Sequence, residues 1–432
     1  MGMLPRRDLL RLMGVTPLAV PLLSACGASE SPGGGKTSLQ LVKSDVARSA
    51  GDPGAASAAA ASIAALAGSL YGELGAKPGN VVYSPYSISV ALAMTMNGAV
   101  GKTAAEMSRV LVVEDLEAFN GGLNALTQQL ESLAGKLNRY EGDKAEILLD
   151  TANSLWGQAG VSWERPFLDT LARDFGTGMR TVDYAQAAED ARRLINEWTA
   201  EQTHDKIPEI LPPGILDALT RLVLVNAIYL KAPWQAPFEK GLTEDGPFHL
   251  RGGSVVDVPM MAGAEASFAW KQGDDWEAIQ IPYAGSELAM TVVLPDDITS
   301  VGGDLSALID WTPTESVGLR LPKWKFRLQS RLNKALDRLG MPTAFTDAAD
   351  FSGMAPEGSE WFISAVLHEA FIAVDEEGTE AAAATAVVIS DSAAHIEPRV
   401  VRVDRPFVFV IHDLEHNTPL FVGRVDDPSQ ES

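Results

Sequence analysis

Apolar residues recur at helical spacing in the first half of the chain. Between Ile63 and Leu74 they stand three or four positions apart in an alanine-rich stretch. This spacing predicts an amphipathic helix with one buried face. The same spacing between Ala191 and Trp198 predicts a second helix.

The second half of the chain has the patterns of strands. Leu222–Leu230 is a continuous apolar run rich in branched residues, which predicts a strand buried on both faces. Phe407–Ile411 and Pro419–Gly423, joined by a polar turn, predict a closing hairpin. Helices and strands do not alternate regularly, and no linker or repeat follows residue 54. We therefore expect one α+β domain over residues 54–432.

Composition narrows the class of protein. The 432 residues include 46% hydrophobic and 21% charged residues, ordinary values that exclude wholesale disorder. The 34 Lys and Arg against 57 Asp and Glu leave a net charge of −23, which argues against nucleic acid as a partner and against electrostatic attraction to anionic lipid. One cysteine excludes an internal disulfide and a zinc cluster.

That cysteine, Cys26, follows an N-terminal segment with the features of an export signal. A basic start is followed by a short apolar run and then by Leu23–Cys26. Leu-Ser-Ala-Cys resembles the bacterial lipobox, in which the cysteine thiol accepts a diacylglyceryl group and becomes the new N-terminus. We expect residues 1–25 to be a lipoprotein signal peptide and Cys26 to anchor the protein to a membrane.

The signal segment is compatible with two export routes. Arg6 and Arg7 before two leucines resemble a twin-arginine signal, but Pro5 and Asp8 depart from that pattern and leave the general secretory route as the alternative. The next residues, 26–53, are rich in glycine and serine, which predicts a flexible tether.

No catalytic or metal-binding constellation is evident. His368-Glu369 begins like the helix of a zinc protease, but the second ligand position holds Ile372. His412 and His416 have helical spacing in a strand–turn–strand context, where that spacing does not bring side chains together. Nucleophile elbows and dinucleotide-binding loops are also missing. We expect neither enzyme activity nor a cofactor nor a metal.

The segment 375–389 has an unusual alternation. It follows an apolar, strand-like run that ends at Val374, and Gly378 near its start gives the backbone freedom. An alanine-rich surface helix is one interpretation. Alternate positions, however, form one face that is small or apolar throughout: Thr379, Ala381, Ala383, Thr385, Val387 and Ile389. The segment could therefore enter a sheet as a strand without burying a charge.

The chain resembles a serpin from about residue 55 to residue 428. The resemblance depends on many short matches in the right order: Asn80–Ser89, Asn97-Gly98, Thr103, Leu224–Lys231, Trp234, Phe238, Val258–Met261, Leu321–Lys323, Leu339–Met341, Phe351–Gly353, His368–Ala370, Glu377–Ala382 and Arg405–Phe409. Each match alone is weak, but together they are specific.

The resemblance implies three β-sheets surrounded by about eight or nine helices, with an exposed reactive-centre loop over roughly 376–403. A target protease cleaves this loop as a substrate. The N-terminal part of the loop then inserts into the main sheet and distorts the attached protease, so that the acyl-enzyme persists. The expected hinge of this movement consists of Glu376, Glu377, Gly378, Thr379, Glu380, Ala381, Ala382, Ala383 and Ala384.

The resemblance also assigns the residues that control opening of the sheet. Ser84, Ser87, Asn226 and His368 are expected as a polar cluster beneath the central strands, and Trp234 at the point of loop entry. For Asn226 the sequence agrees independently, because an asparagine inside a buried strand needs hydrogen-bond partners. A purely structural role, in which these residues satisfy hydrogen bonds of the core, is compatible with this role in sheet opening.

The scissile bond depends on how the loop is counted. Counting from Glu376 gives Ser392-Ala393, with Ala393-Ala394 as the neighbouring choice, whereas counting back from Pro406 gives His395-Ile396. We favour the first, because insertion length fixes where the protease arrives. No Lys or Arg precedes these bonds, so elastase-like or subtilisin-like serine proteases are better targets than trypsin-like ones, and cysteine proteases stay an alternative.

The predicted function is thus a lipid-anchored suicide inhibitor of serine proteases at the outer face of the cell membrane or in the cell envelope, with extracellular release of the exported protein as an alternative. The alternative is a non-inhibitory binding protein or chaperone with the same fold, whose loop is only cleaved. We expect a monomer without nucleic acid and, given the acidic charge, without a heparin-like activator.

Overall fold

The computed structural model describes residues 38–138, 144–263, 268–299, 301, 305–309, 315–380 and 399–431. The α-helices in these ranges are α1 (Ala56–Leu74), α2 (Pro85–Met96), α3 (Gly101–Leu111), α4 (Leu116–Ser132), α5 (Arg165–Phe175), α6 (Tyr184–Gln202) and α7 (Asn333–Leu339). The strands are β1 (Gln40–Val42), β2 (Val81–Tyr83), β3 (Gly135–Asn138), β4 (Lys144–Gln158), β5 (Met179–Val182), β6 (Leu222–Pro233), β7 (Glu244–His249), β8 (Val255–Ala262), β9 (Phe268–Gln272), β10 (Trp276–Pro282), β11 (Leu288–Pro295), β12 (Glu315–Pro322), β13 (Trp324–Arg331), β14 (Ile363–Val374), β15 (Gly378–Thr379), β16 (Val400–Arg402), β17 (Phe407–Asp413) and β18 (Pro419–Val425).

Eight strands form the first sheet, in the order β1-β5-β4-β6-β15-β14-β13 with β3 beside β4. The central strand β6 is buried along almost its whole length, which explains its unbroken apolar sequence. It runs antiparallel to β4 and parallel to β14. Helix α6 covers one face, called the outer face here, through Ala191 and Ile195. The main core fills the other, inner face.

Ten strands form the second sheet, in the order β2-β18-β17-β11-β10-β9-β12-β8-β7 with β16 beside β12. Strand β12 pairs with β9 near its start and with β8 near its end, so it joins two groups of strands into one network. The predicted closing hairpin is confirmed as the antiparallel pair β17 and β18.

The mixed α+β architecture and both predicted helices are confirmed, as α1 and α6. The expected numbers of helices and sheets are not confirmed. The described residues contain seven α-helices and two hydrogen-bonded strand networks, rather than eight or nine helices and three sheets. The described ranges also contain short 3-10 helices, such as Thr343–Phe345.

Helix α1, together with the turn before it, is apolar enough over Pro53–Leu74 to meet a length-and-hydropathy test for a membrane span. Half of the tested window is buried inside the domain. Ile63, Leu66 and Leu70 are fully buried in the main core, so this helix is a core helix of the domain.

The segment before α1 packs on the domain and corrects the tether expected over 26–53. Strand β1 pairs with β5, and the Ser49 N–H donates to the Arg173 carbonyl oxygen at 2.8 Å. A Cβ on Gly178 would lie 2.4 Å from the Val42 carbonyl oxygen, so a glycine makes room for β1. The ordered domain therefore includes β1. The rest of the predicted tether and the signal peptide lie outside the described residues.

Candidate functional site

The expected hinge lies at one end of the space between β6 and β14, called the slot here. After β14 the chain turns at Asp375 and comes back as β15, which pairs antiparallel with both neighbours. Gly378 lies opposite Pro233, and Thr379 lies between Ala232 and Val374. The first two residues of an additional strand are thus already inserted in the first sheet.

Only glycine fits at the entrance of the slot. Gly378 has a φ of +154°. A Cβ at this position would approach the Ala232 carbonyl oxygen to 2.3 Å and the Pro233 Cα to 2.6 Å. The glycine expected to give freedom of movement therefore also permits the close approach of three strands.

Thr379 points into the inner face of the sheet, as the alternation predicts. Its side chain is only 2% exposed, and its hydroxyl shares a 2.7 Å hydrogen bond with that of Tyr283. Burial raises the pKa of Tyr283, so this phenol stays neutral. The Tyr283 ring stacks on Trp234 at 4.6 Å, and the Trp234 indole N–H donates to the Asp375 carbonyl oxygen at 3.0 Å.

Each acidic side chain of the described hinge is paired with a lysine from a different part of the chain. The pairs are Glu376 with Lys323 at 2.8 Å, Glu377 with Lys240 at 3.2 Å, and Glu380 with Lys206. Burial alone would raise the pKa of Glu376, but hydrogen bonds from Lys323 and Thr243 lower it. The hinge is therefore fixed by charge as well as by backbone pairing.

A buried polar cluster lies further along the slot, beneath β4, β6 and β14. The Asn226 side-chain amide donates to Ser87 Oγ and to Asn153 Oδ1, both at 2.5 Å. The Ser87 hydroxyl donates to Asn153 Oδ1 at 2.6 Å. Ser84 begins α2, and its Oγ accepts from the Ser87 N–H at 3.1 Å.

His368 completes this cluster from β14, directly beside Asn226 on β6. Its Nε2 accepts from the Ser84 N–H at 3.0 Å, so the proton is on Nδ1, which donates to Asn226 Oδ1. Burial lowers the pKa of His368 to about 3. The neutral imidazole thus joins α2 to the two strands that border the slot.

The structure brings together four of the predicted sheet-opening residues, Ser84, Ser87, Asn226 and His368. Trp234 lies apart from them, just beyond the hinge end of β6, where the hinge enters. Of the predicted hinge, Glu376–Glu380 are described. Ala381–Ala384, the bonds predicted for cleavage between Ser392 and Ile396, and the lipidation residue Cys26 lie outside the described residues.

Sequence reasoning missed Asn153, Tyr283 and the three lysines. Asn153 breaks the apolar sequence of β4 and could have been noticed as a buried asparagine, like Asn226. Tyr283 and Lys206 had no such signal, because their partners in the hinge are far away in the sequence. Among the residues that the structure describes, no group of three His, Cys, Asp or Glu could hold a metal ion.

Comparison with known proteins finds one matching family. The family model described as "Serpin (serine protease inhibitor)" matches residues 61–428. A serpin-like protein from Thermococcus kodakarensis is 38% identical over 369 residues, which are 83% of each chain. The leukocyte elastase inhibitor of Bos taurus is 37% identical, over 81% of this chain and 93% of its own.

A solved structure resembles the fold as a whole. Serpin48 of the insect Tenebrio molitor, whose title calls it a highly specific serpin, superposes with a TM-score of 0.75 at 31% identity. The match covers 85% of this chain and 98% of that one.

Proposed function

The chain belongs to the serpin family, and we propose that it inhibits serine proteases as a suicide substrate whose cleaved loop inserts into the first sheet. The observation that carries this proposal is the position of Thr379, already buried between β6 and β14 with its side chain on the inner face. The loop needs only to continue along a path on which it has started.

The register of β15 defines that path. In β15, Gly378 pairs with Pro233 of β6 and Thr379 pairs with Ala232. Because the strands are antiparallel, the two residue numbers of every pair add to the same value, 611. Continued insertion would therefore set residue 389 opposite Leu222, the first residue of β6. These ten further rungs span about 33 Å at the usual rise of a strand.

The side chains of residues 380–389 suit this path. Alternate positions would face the main core, and the sequence gives them alanine, threonine, valine and isoleucine without a charge. Each new ladder hydrogen bond is worth roughly 0.5–1.5 kcal/mol net. Residue 385 would arrive between Asn226 and His368, where Thr385 brings a hydroxyl to the buried polar cluster.

The length of this path supports Ser392-Ala393 as the reactive bond. Cleavage there would leave three residues, 390–392, beyond the end of β6. Cleavage at His395-Ile396 would leave six and hold the protease less closely. The small residues before the bond, and the likeness to proteins named leukocyte elastase inhibitors, favour elastase-like or subtilisin-like targets over trypsin-like ones.

The test is incubation of the purified protein with elastase, subtilisin and trypsin, followed by denaturing electrophoresis. We expect elastase or subtilisin to give a denaturant-stable adduct of summed mass, because the trapped acyl-enzyme is covalent. Sequencing of the released C-terminal peptide should start at Ala393. Cleavage by every protease without an adduct would reject inhibition and favour the non-inhibitory binding protein.

We also propose that the inhibitor is exported as a lipoprotein, is cleaved before Cys26 and is held by a lipid at the outer face of the membrane. Residues 1–25 provide the signal and the remainder up to β1 the tether. Metabolic labelling with a radioactive fatty acid should mark the protein, and Cys26→Ser should remove the label and release the protein to the soluble fraction. Labelling of the Cys26→Ser variant would overturn this proposal.

A further inference from the structure

At the hinge end of the slot, β6 and β14 are unpaired with each other over more positions than the inserted residues occupy. The parallel pairing of β14 with β6 ends at Ala370 opposite Ile228. Between this rung and the hinge, the pairs described for β6 and β14 do not join residues 229–231 to 371–373. Residues 381 and 382 could therefore enter between the strands without breaking a β6–β14 pair, yet the inserted strand ends at Thr379.

The chain leaves the slot at Glu380. The Glu380 N–H still donates to the Ala373 carbonyl oxygen at 2.8 Å, in register with β14. Its φ is +49°, in the left-handed region that non-glycine residues rarely adopt. Such a conformation persists only where other contacts favour it, and an extended Glu380 would continue into the slot.

Lys206 provides the contact that favours this conformation. Its ammonium group forms an ion pair with the Glu380 carboxylate and lies 5.7 Å from the centre of the Phe371 ring. In the register of β15 and β14, residue 382 would lie opposite Phe371. Lys206 thus binds Glu380 and also lies over the strand residue beside which residue 382 would insert.

The segment that carries Lys206 is itself fixed on the outer face of the sheet. This segment directly follows α6, and its residues His204 and Asp205 have left-handed φ values of +50° and +60°. The His204 imidazole lies 2.9 Å from Asp150 of β4 and packs on the Tyr229 ring of β6. Ile207 is buried beneath α6. Lys206 therefore has little freedom to follow the hinge if Glu380 moves.

We infer that Lys206 is the positioning residue that stops the intact loop at Glu380, before the two open rungs of the slot. This inference rests on the proposed function and adds the residue that keeps the loop available before cleavage. Without the ion pair, β15 stays paired through Gly378 and Thr379, so the hinge is not expelled. Glu380 then becomes free to turn into the extended conformation and to advance.

The test measures insertion of the uncleaved loop, without a protease, as the rate at which warm protein converts to a more heat-stable form. Lys206→Met keeps an apolar side chain over Phe371 but removes the charge. It should speed the conversion about tenfold, the effect expected for a charge-assisted pair. Lys206→Arg keeps the charge and should return the rate to near that of the wild type.

Lys240→Met is the matched control, because Lys240 also pairs with a hinge glutamate, Glu377, but upstream of the slot. It should change the rate less than twofold, because Glu377 precedes the paired residues Gly378 and Thr379 and does not have to move when Glu380 advances. Glu380→Gln should match Lys206→Met, and the double variant should add nothing further.

A Lys206→Met variant that converts no faster than the wild type, or no faster than Lys240→Met, would overturn the inference. Failure of the proposed function would look different. It would appear as cleavage without an adduct in the protease test, whereas the conversion measured here requires no protease.

Discussion

The slot has an upper part at the hinge end, where β15 lies between β6 and β14, and a lower part, where β6 and β14 pair directly. The two parts are held by different kinds of interaction. The upper part, where β15 has entered, is fixed by ion pairs to Lys206, Lys240 and Lys323, whose side chains are 39%, 54% and 37% exposed. The lower part is closed by seven backbone pairs between β6 and β14 and by fully buried polar side chains. Ion pairs with a partly exposed lysine are weakened by salt, whereas each buried hydrogen bond is costly to break.

This difference separates two tasks. In the proposed mechanism, the upper part decides whether the loop begins to move, because the chain leaves the slot there at Glu380, which Lys206 holds by an ion pair. In the proposed mechanism, the lower part sets the barrier to complete insertion, because the seven β6–β14 pairs and the Asn226–His368 hydrogen bond would have to break before new ladder bonds form. The four predictions below test each part in turn.

The largest effect is expected from Thr379→Arg in the upper part. The guanidinium group would have to lie beside Tyr283 on the inner face, and burying an unpaired charge costs several kcal/mol. The adduct formed with elastase or subtilisin should fall at least about tenfold in favour of cleaved, released inhibitor. The control Thr379→Val keeps the size and loses only the hydroxyl, so it should keep most of the adduct. Equal adduct from Thr379→Arg and the wild type would contradict insertion at this position.

Acid should weaken the lower part through His368. Burial lowers the pKa of His368 to about 3 and that of His412 to about 4, from an ordinary value of 6.5. Below pH 6.5 the unfolded chain therefore binds protons that the native protein does not. Each histidine should then lower the free energy of unfolding by about 1.4 kcal/mol per pH unit until its native pKa is reached.

Urea unfolding between pH 7 and pH 5 measures this dependence. His368→Gln should remove one proton from the dependence of the unfolding free energy on pH. A slope that is the same in His368→Gln and in the wild type would show that His368 does not stay neutral in the folded protein.

Two serines on α2 provide a smaller and more local test of the lower part. Ser87 joins Asn153 and Asn226, while the Ser89 hydroxyl is buried without a hydrogen-bond partner in the described structure. Ser87→Ala leaves buried partners unsatisfied and should lower the free energy of unfolding by about 1–3 kcal/mol. Ser89→Ala removes a buried hydroxyl that has no partner, so it should leave the free energy of unfolding unchanged or raise it. Similar losses in the two variants would mean that helix packing, and not the polar cluster, is responsible.

The upper part of the slot was only partly predictable from sequence. Alternation alone indicated which face of the hinge is inward, and Thr379 confirms it, because side-chain direction in a strand depends on local sequence. Tyr283, which receives Thr379, is 96 positions away from it. A contact at that separation is set by the packing of two sheets, which no local pattern contains.

The same limit explains the remaining differences. Asn226 could be recognised as a buried asparagine that needs partners, but its partner Asn153 is supplied by another strand, 73 positions away. Strand β1 has three residues, too few for a periodic pattern, and it lies in a segment whose glycines and serines are typical of a linker. Its place at the edge of the sheet depends on room provided by Gly178.

The smallest effect links the two parts of the slot. Insertion breaks the hydrogen bond between Asn226 and His368, and the register of β15 would bring Thr385 between them, where its hydroxyl can restore a buried hydrogen bond. Thr385→Val should therefore lower the stability of the cleaved, inserted protein by about 1 kcal/mol, as measured by guanidinium unfolding. Val387→Thr provides the matched control, because residue 387 would lie between Leu224 and Val366. A hydroxyl there has no polar partner and should also destabilise the cleaved protein. If Thr385→Val were neutral while Val387→Thr stabilised, residue 387 would lie between Asn226 and His368 in the cleaved protein, and the register of β15 would not continue through insertion.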